Sequence, residues 1–229
     1  MIAILYEDNH LIAINKPSGI LVQGDSTGDK PMVEIVKDFI KKRDEKPGNV
    51  FLGVIHRIDR PTSGIILFAK TSKALSRMNK LFAEKKVKKT YWAVVEGIVD
   101  REEQRIEHYL SRNQKLNKSF VTNSNSDKAK KAVLHYRVLH RLKTYSLLKV
   151  KIETGRHHQI RAQLSHIQYP IKGDLKYNSK RSNSDKSISL LAKTLAFTHP
   201  VSGKEIEIEA DLPHTDVWKI IRQDLAAQL

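Results

Sequence analysis

Short alternating or wholly apolar runs recur along the whole chain, with no regular helix between one and the next. They fall at Ile2 to Tyr6, Leu11 to Asn15, Val50 to Ile55, Gly64 to Lys70, Thr90 to Glu96, Val133 to Leu139, Tyr145 to Glu153, Ser187 to Phe197 and Glu205 to Ala210. Period-two patterning of this kind marks strands. These strands show no regular βα alternation. They predict an α+β fold built on a mixed, largely antiparallel sheet. Four helical segments are expected around it. One opens at Asp29 and Pro31 and carries Val33, Val36, Phe39 and Ile40. One is capped by Ser72 and carries Leu75, Met78, Leu81 and Phe82. One covers His157 to Ile167, and the last carries Val217, Trp218, Ile221 and Leu225. Residues 100–131 are polar and predict a mobile hairpin or excursion, with a turn at Asn123 to Asp127. Residues 177–186 predict a polar, basic loop.

The 229 residues fit a single domain spanning 1–229. No run of about 18 apolar residues is present, so no membrane span is expected. The N-terminus, Met1 to Asp8, reads as a first strand rather than a leader. Cysteine is absent, which excludes disulfides, thiolate metal sites and a cysteine nucleophile, and fits a cytoplasmic protein. The formal net charge is +16, an argument about partners rather than fold. A polyanion, above all nucleic acid, is the simplest match. The exposed side of the second helix holds Lys73, Arg77, Lys80, Lys85 and Lys86, which read equally as a solvated face or as RNA phosphate contacts.

The segment His56-Arg57-Ile58-Asp59-Arg60-Pro61-Thr62-Ser63-Gly64 lies in a loop between two predicted strands, where binding and catalytic groups often sit on a rigid scaffold. It sets one carboxylate between two arginines. Adjacent guanidinium groups favour the ionised form, which suits an anionic base or nucleophile. A generic R-x-D-R tetrad is more often a surface ion pair.

This nonamer resembles the H-R-L-D-x-x-T-S-G segment of the RluA-type pseudouridine synthases. Further blocks resemble the same family in the same order. They are Ala13 to Val22 with its NKPSG run Asn15-Lys16-Pro17-Ser18-Gly19, Lys89 to Gly97, Glu153 to Arg161, Tyr169 to Asp174 and Leu195 to Pro200. Together they run from about residue 2 to about residue 210. The chain departs from the pattern at Pro61, Gln163 and Leu191. The resemblance implies a single catalytic domain with a long bent sheet, flanking helices and a central cleft. The family's small N-terminal S4 domain is expected to be absent, because the NKPSG region starts almost at Met1.

The resemblance also implies roles. Asp59 matches the essential aspartate, which promotes cleavage of the N-glycosidic bond of uridine by acting at C2′ or at C1′. Tyr91 matches the active-site tyrosine, placed to stack on uracil and to assist removal of the C5 proton. Arg161 matches the arginine that pairs with the catalytic aspartate. Arg57 matches the arginine that enters the RNA stack where the target base has left, at a site where extrusion costs a few kcal/mol. Arg60 and Lys16 are candidate phosphate contacts, and His56 is expected to orient the loop. The substrate is expected to be ribosomal or transfer RNA, and the enzyme a monomer needing no cofactor and no metal. His157-His158 invites a metal site, but neighbours on a helix point apart by about 100°. Two other functions compete: a non-catalytic RNA-binding or assembly factor on the same fold, and a metal-dependent ribonuclease. The nuclease lacks a compact carboxylate cluster.

Overall fold

The computed structural model describes residues 2–126 and 128–227; Met1 and Asp127, at the ends of two predicted segments, lie outside them. In chain order the elements are β1 (Ile4–Glu7), β2 (Leu11–Lys16), α1 (Met32–Arg43), β3 (Gly53–Val54), β4 (Ser63–Ala69), α2 (Ser72–Ala83), β5 (Lys88–Glu96), β6 (Glu103–Asn113), β7 (Lys118–Thr122), β8 (Lys130–Arg141), β9 (Tyr145–Ile152), α3 (Gln159–His166), a short 3-10 turn (Leu175–Tyr177), β10 (Leu190–Thr198), β11 (Glu205–Glu209) and α4 (Asp216–Ala226). The class is α+β, as the patterning predicts. The chain forms two compact units, Met1–Lys89 with Ala192–Asp211 and Thr90–Leu191 with Leu212–Leu229.

In the first unit β1 pairs with β2, β2 and β3 with β4, and β10 with β11, all antiparallel. Ile65 to Ala69 of β4 are almost wholly buried on both faces, which makes β4 the centre of this core. That explains its unbroken apolar run, since a strand covered on both sides shows no alternation. α1 buries Met32, Val33, Val36 and Ile40. α2 begins one residue earlier than its sequence cap implies. Thr71, not Ser72, is the N-cap, and its hydroxyl accepts the Ala74 N–H at 3.2 Å. The run Val50 to Ile55 yields only the two-residue β3, where the Leu75 side chain packs so closely on Gly53 that a Cβ would fall 2.7 Å from it.

In the second unit the strands run β5–β9–β8–β6–β7, each pair antiparallel. The polar stretch after residue 100 is a regular hairpin, β6 with β7, rather than an excursion. Its polarity follows from its packing. Ile106, Leu110 and Ser119 face inward while their neighbours face solvent. Leu110 joins Ala132, Ala162 and Tyr177 in a buried cluster, with Val121 against it. α3 is buried nearly all round, from Gln159 to Ser165.

Candidate active site

Asp59 lies in the loop between β3 and β4. Its side chain is half-buried, between the buried Ile58 and the exposed Arg60. The Thr62 N–H donates to the Asp59 carbonyl at 3.0 Å and closes the turn. The NKPSG segment is lashed to this turn. The Gly19 N–H donates to the Arg60 carbonyl at 2.8 Å, and Arg60 Nε donates back to the Gly19 carbonyl at 2.8 Å. Gly19 sits at φ +84°, a left-handed conformation that suits glycine. Two blocks far apart in sequence thus form one rigid loop pair around Asp59.

Lys16 belongs to this lash and does not face solvent. It is fully buried, and its Nζ donates to the carbonyls of Pro17 (2.8 Å), Ile20 (2.9 Å) and Arg60 (3.2 Å). Three carbonyls match the three ammonium protons. Burial pulls its pKa down to about 7, opposed by the charge of Asp59 and aided by that of Arg60. A lysine spent in this way holds the turn, so the expected phosphate contact finds no counterpart here. The Arg60 guanidinium is turned to Gly19 through Nε and, through Nη2, to Asp29 at 2.8 Å. Arg57 is exposed at the loop surface. His56 orients the loop through Nε2, which accepts the Leu67 N–H at 3.1 Å.

Tyr91 and Arg161 lie in the second unit. Tyr91 is 9% exposed on β5, in register with Val150 of β9. Arg161 projects from α3, and its Nε and Nη2 donate to the two Asp174 carboxylate oxygens at 2.7 and 2.8 Å. The Tyr177 ring lies 4.9 Å from the guanidinium carbon. The sequence alone assigns no role to Asp174 or Tyr177. A signal for Asp174 existed: a buried arginine needs an acid, and Asp174 is the sole one between Glu153 and Asp185.

The two adjacent histidines depart from the helical geometry expected of them. His158 precedes α3 at φ +52°, so the rings do not point apart but stack at 3.7 Å with 21° between planes. Nitrogen lone pairs lie in the ring planes, so near-parallel rings cannot converge on one ion. The rings are engaged otherwise. His157 Nδ1 lies 2.9 Å from Ser119 Oγ, and His158 Nδ1 2.9 Å from Tyr177 Oη. Burial first, then nearby cations led by Arg161, pull His158 down to about 2. Among the described residues no group of three His, Asp or Glu side chains is arranged to hold a metal, and no helix is long and apolar enough to cross a membrane.

The RNA pseudouridylate synthase family model matches residues 10–166. The chain is 36% identical to tRNA pseudouridine synthase C of Pectobacterium carotovorum, over 92% of this chain and 59% of that protein. It is 34% identical to tRNA pseudouridine synthase C of Vibrio parahaemolyticus, over 94% of this chain and 92% of the other. It is 34% identical to ribosomal large subunit pseudouridine synthase C of Buchnera aphidicola from Acyrthosiphon pisum, over 91% and 67%. The fold is that of the human RNA Pseudouridylate Synthase Domain Containing 4, at TM-score 0.81 and 22% identity, over 97% of this chain and 93% of that one. The loop around Asp59 and the blocks carrying Tyr91 and Arg161 therefore sit in a chain that belongs to the RNA pseudouridylate synthase family.

Proposed function

We propose that this chain is an RNA pseudouridine synthase, a single catalytic domain that isomerises specific uridines of ribosomal or transfer RNA. The C1′–N1 bond of uridine breaks, the freed uracil turns, and a C1′–C5 bond forms. The C5 proton leaves and N1 is left protonated, so atoms and charge balance without any redox partner. Asp59 supplies the anionic group that promotes cleavage. Tyr91 stacks on uracil and assists C5 proton removal. Arg161 serves the reaction through its guanidinium, and Arg57 enters the gap in the RNA stack. The protein acts as a monomer in the cytoplasm, with no cofactor and no metal.

The observation that carries this proposal is the Asp59 turn, held in place by Lys16, Gly19 and Arg60, in a chain of this family. The +16 net charge supports a polyanionic substrate. Relatives are named for both transfer RNA and the large ribosomal subunit, which leaves both RNA classes within the proposal.

The test is a map of pseudouridines in total RNA from cells with and without the protein. Sites lost in its absence should return with the wild-type chain and not with Asp59→Asn, which keeps the shape but cannot act as an anion. RNA binding with no site lost would instead favour a non-catalytic factor. Restoration by Asp59→Asn would remove the aspartate from the chemistry.

A further inference from the structure

α2 carries a row of cations that its packing does not use. Lys73, Arg77 and Lys80 stand at i, i+4 and i+7, so they share one face of the helix. All three are exposed, while Ala74 and Met78 are buried on the other side. The row spans about 10 Å along the helix axis. Among the described residues neither Lys73 nor Arg77 makes an ion pair. The row ends at Glu84, which lies 3.8 Å from Lys80 and 2.8 Å from Lys86. Helix stability does not account for it. The first turn of α2 contains no acid and does contain Lys73, where the helix dipole disfavours a cation.

The face is shaped as well as charged. A hollow of about 320 Å³ is lined by Arg77, Lys80 and Lys86 on one side, and by Thr198 and Pro200 from the end of β10 and the turn after it. Arg77 Nη1 donates to the Pro200 carbonyl at 2.8 Å, which sets the direction of the guanidinium and uses one of its five N–H donors. That turn is braced in its own right. His199 Nδ1 accepts the N–H groups of Val201 at 3.2 Å and Ser202 at 2.9 Å. The helix also ends at the Asp59 loop, because Phe82 of its last turn stacks on His56, three residues before Asp59. The row thus leads away from that loop toward the start of α2.

We infer that this face is a phosphate rail outside the catalytic loop, holding the sugar–phosphate backbone of the substrate RNA beyond the reacting nucleotide. The inference rests on the proposed function for its substrate. Lysine and arginine on a backbone read charge and not base identity, so the rail adds affinity and orientation rather than sequence choice.

The test uses the full chain and bulk transfer RNA as the probe, with affinity measured across a salt series. Lys73→Gln/Arg77→Gln/Lys80→Gln should lower affinity on the order of 100-fold at about 0.1 M salt, and flatten the log–log slope by about two to three. Lys41→Gln/Lys42→Gln/Lys46→Gln removes the same charge at and just past the end of α1. It should cost less than about threefold, because the screening length is about 10 Å. Glu84→Gln frees Lys80 and Lys86 and should raise affinity by about threefold or more, a gain that no folding defect imitates. All these side chains are exposed, so thermal unfolding should stay near wild type. On the mapped target RNA the α2 variant should lose conversion through KM. That loss should vanish on a short fragment that carries the target uridine but cannot reach α2.

An unchanged salt slope in the α2 variant would overturn the inference. So would an equal loss in the α1 variant, or unchanged affinity in Glu84→Gln. A face that serves an acidic protein instead would leave every RNA readout at wild type. Failure of the proposed function looks different, because the wild-type chain would then convert no uridine while the binding measurements still reported on the rail.

Discussion

His56 Nε2 accepts the Leu67 N–H at 3.1 Å, so the first residue of the Asp59 loop is pinned to the middle of β4. The ring also stacks on Phe82, with centroids 5.1 Å apart and 20° between planes. An imidazole that accepts through Nε2 must leave that nitrogen unprotonated. Burial, reinforced by the charge of Lys89, pulls His56 down to about 3. The loop that carries Asp59 is therefore held by a neutral histidine.

Acid should loosen that anchor. In the unfolded chain His56 takes up its proton near pH 6.5, and in the folded chain only near pH 3. Between the two the unfolded state binds more protons, so stability falls as pH falls. The contribution is complete above pH 6.5 and is lost as pH drops toward 3. His158, pulled down to about 2, adds a slope of the same sign. His56→Gln keeps an acceptor and removes the titration. Urea unfolding between pH 7 and pH 5 should then show a shallower slope, by up to about 1.4 kcal/mol per pH unit. Equal slopes for the two proteins would mean that His56 is not the anchor described.

Lys16→Met separates a structural lysine from a phosphate contact. Three buried carbonyls lose their donor, so stability should fall by about 2–4 kcal/mol. Wild-type RNA affinity should fall steeply with salt, given the +16 charge. That log–log slope should be the same in the folded variant. A slope reduced by about one would restore Lys16 to direct phosphate contact.

Gly64, which closes the nonamer, sits at φ +111° with the Ala192 backbone against it. A Cβ there would fall 2.4 Å from the Ala192 carbonyl oxygen and 2.7 Å from its nitrogen. Backbone cannot rotate away as a side chain can. Gly64→Ala should therefore cost about 3 kcal/mol or more, or abolish soluble expression. Gly48→Ala is the control, because nothing lies within 4 Å of its added carbon. It should stay within about 0.5 kcal/mol of wild type. Equal melting points for the two variants would contradict the close approach at Gly64.

Strands were legible wherever a local pattern reports them. The buried run of β4 and the alternation of β8 and β9 each sit within a residue or a few of their predicted places. The loop position of Asp59 followed from the strands on either side. What local pattern cannot report is where a long polar side chain finds its partners. Lys16 reads as a candidate phosphate contact, yet its carbonyl partners include Arg60, brought in by the tertiary fold. Arg60 reads as a candidate phosphate contact, and nothing local shows that Gly19 and Asp29 hold its guanidinium. The stacked His157 and His158 depend on a left-handed residue before α3, and helical periodicity assumes that no such residue is there. Asp174 was visible as part of a turn, but only the burial of Arg161 gives it a task.

Tyr91→Phe should separate the two halves of the reaction. Tyr91 is nearly buried on β5, with β9 beside it in register. Phenylalanine keeps the aromatic face and the packing, and loses only the phenolic oxygen. A buried strand position tolerates this change well, so the variant should fold and bind RNA as wild type does. If Asp59 governs glycosidic cleavage, that step remains available to the variant. If the Tyr91 oxygen assists removal of the C5 proton, the later step is blocked or slowed by on the order of 100-fold or more. RNA labelled with tritium at uracil C5 reports this step directly in a single turnover. Slow tritium release with unchanged RNA affinity would place the phenol in the proton transfer. Release at the wild-type rate would leave Tyr91 a stacking or core residue, and the proton would then have to leave by another group.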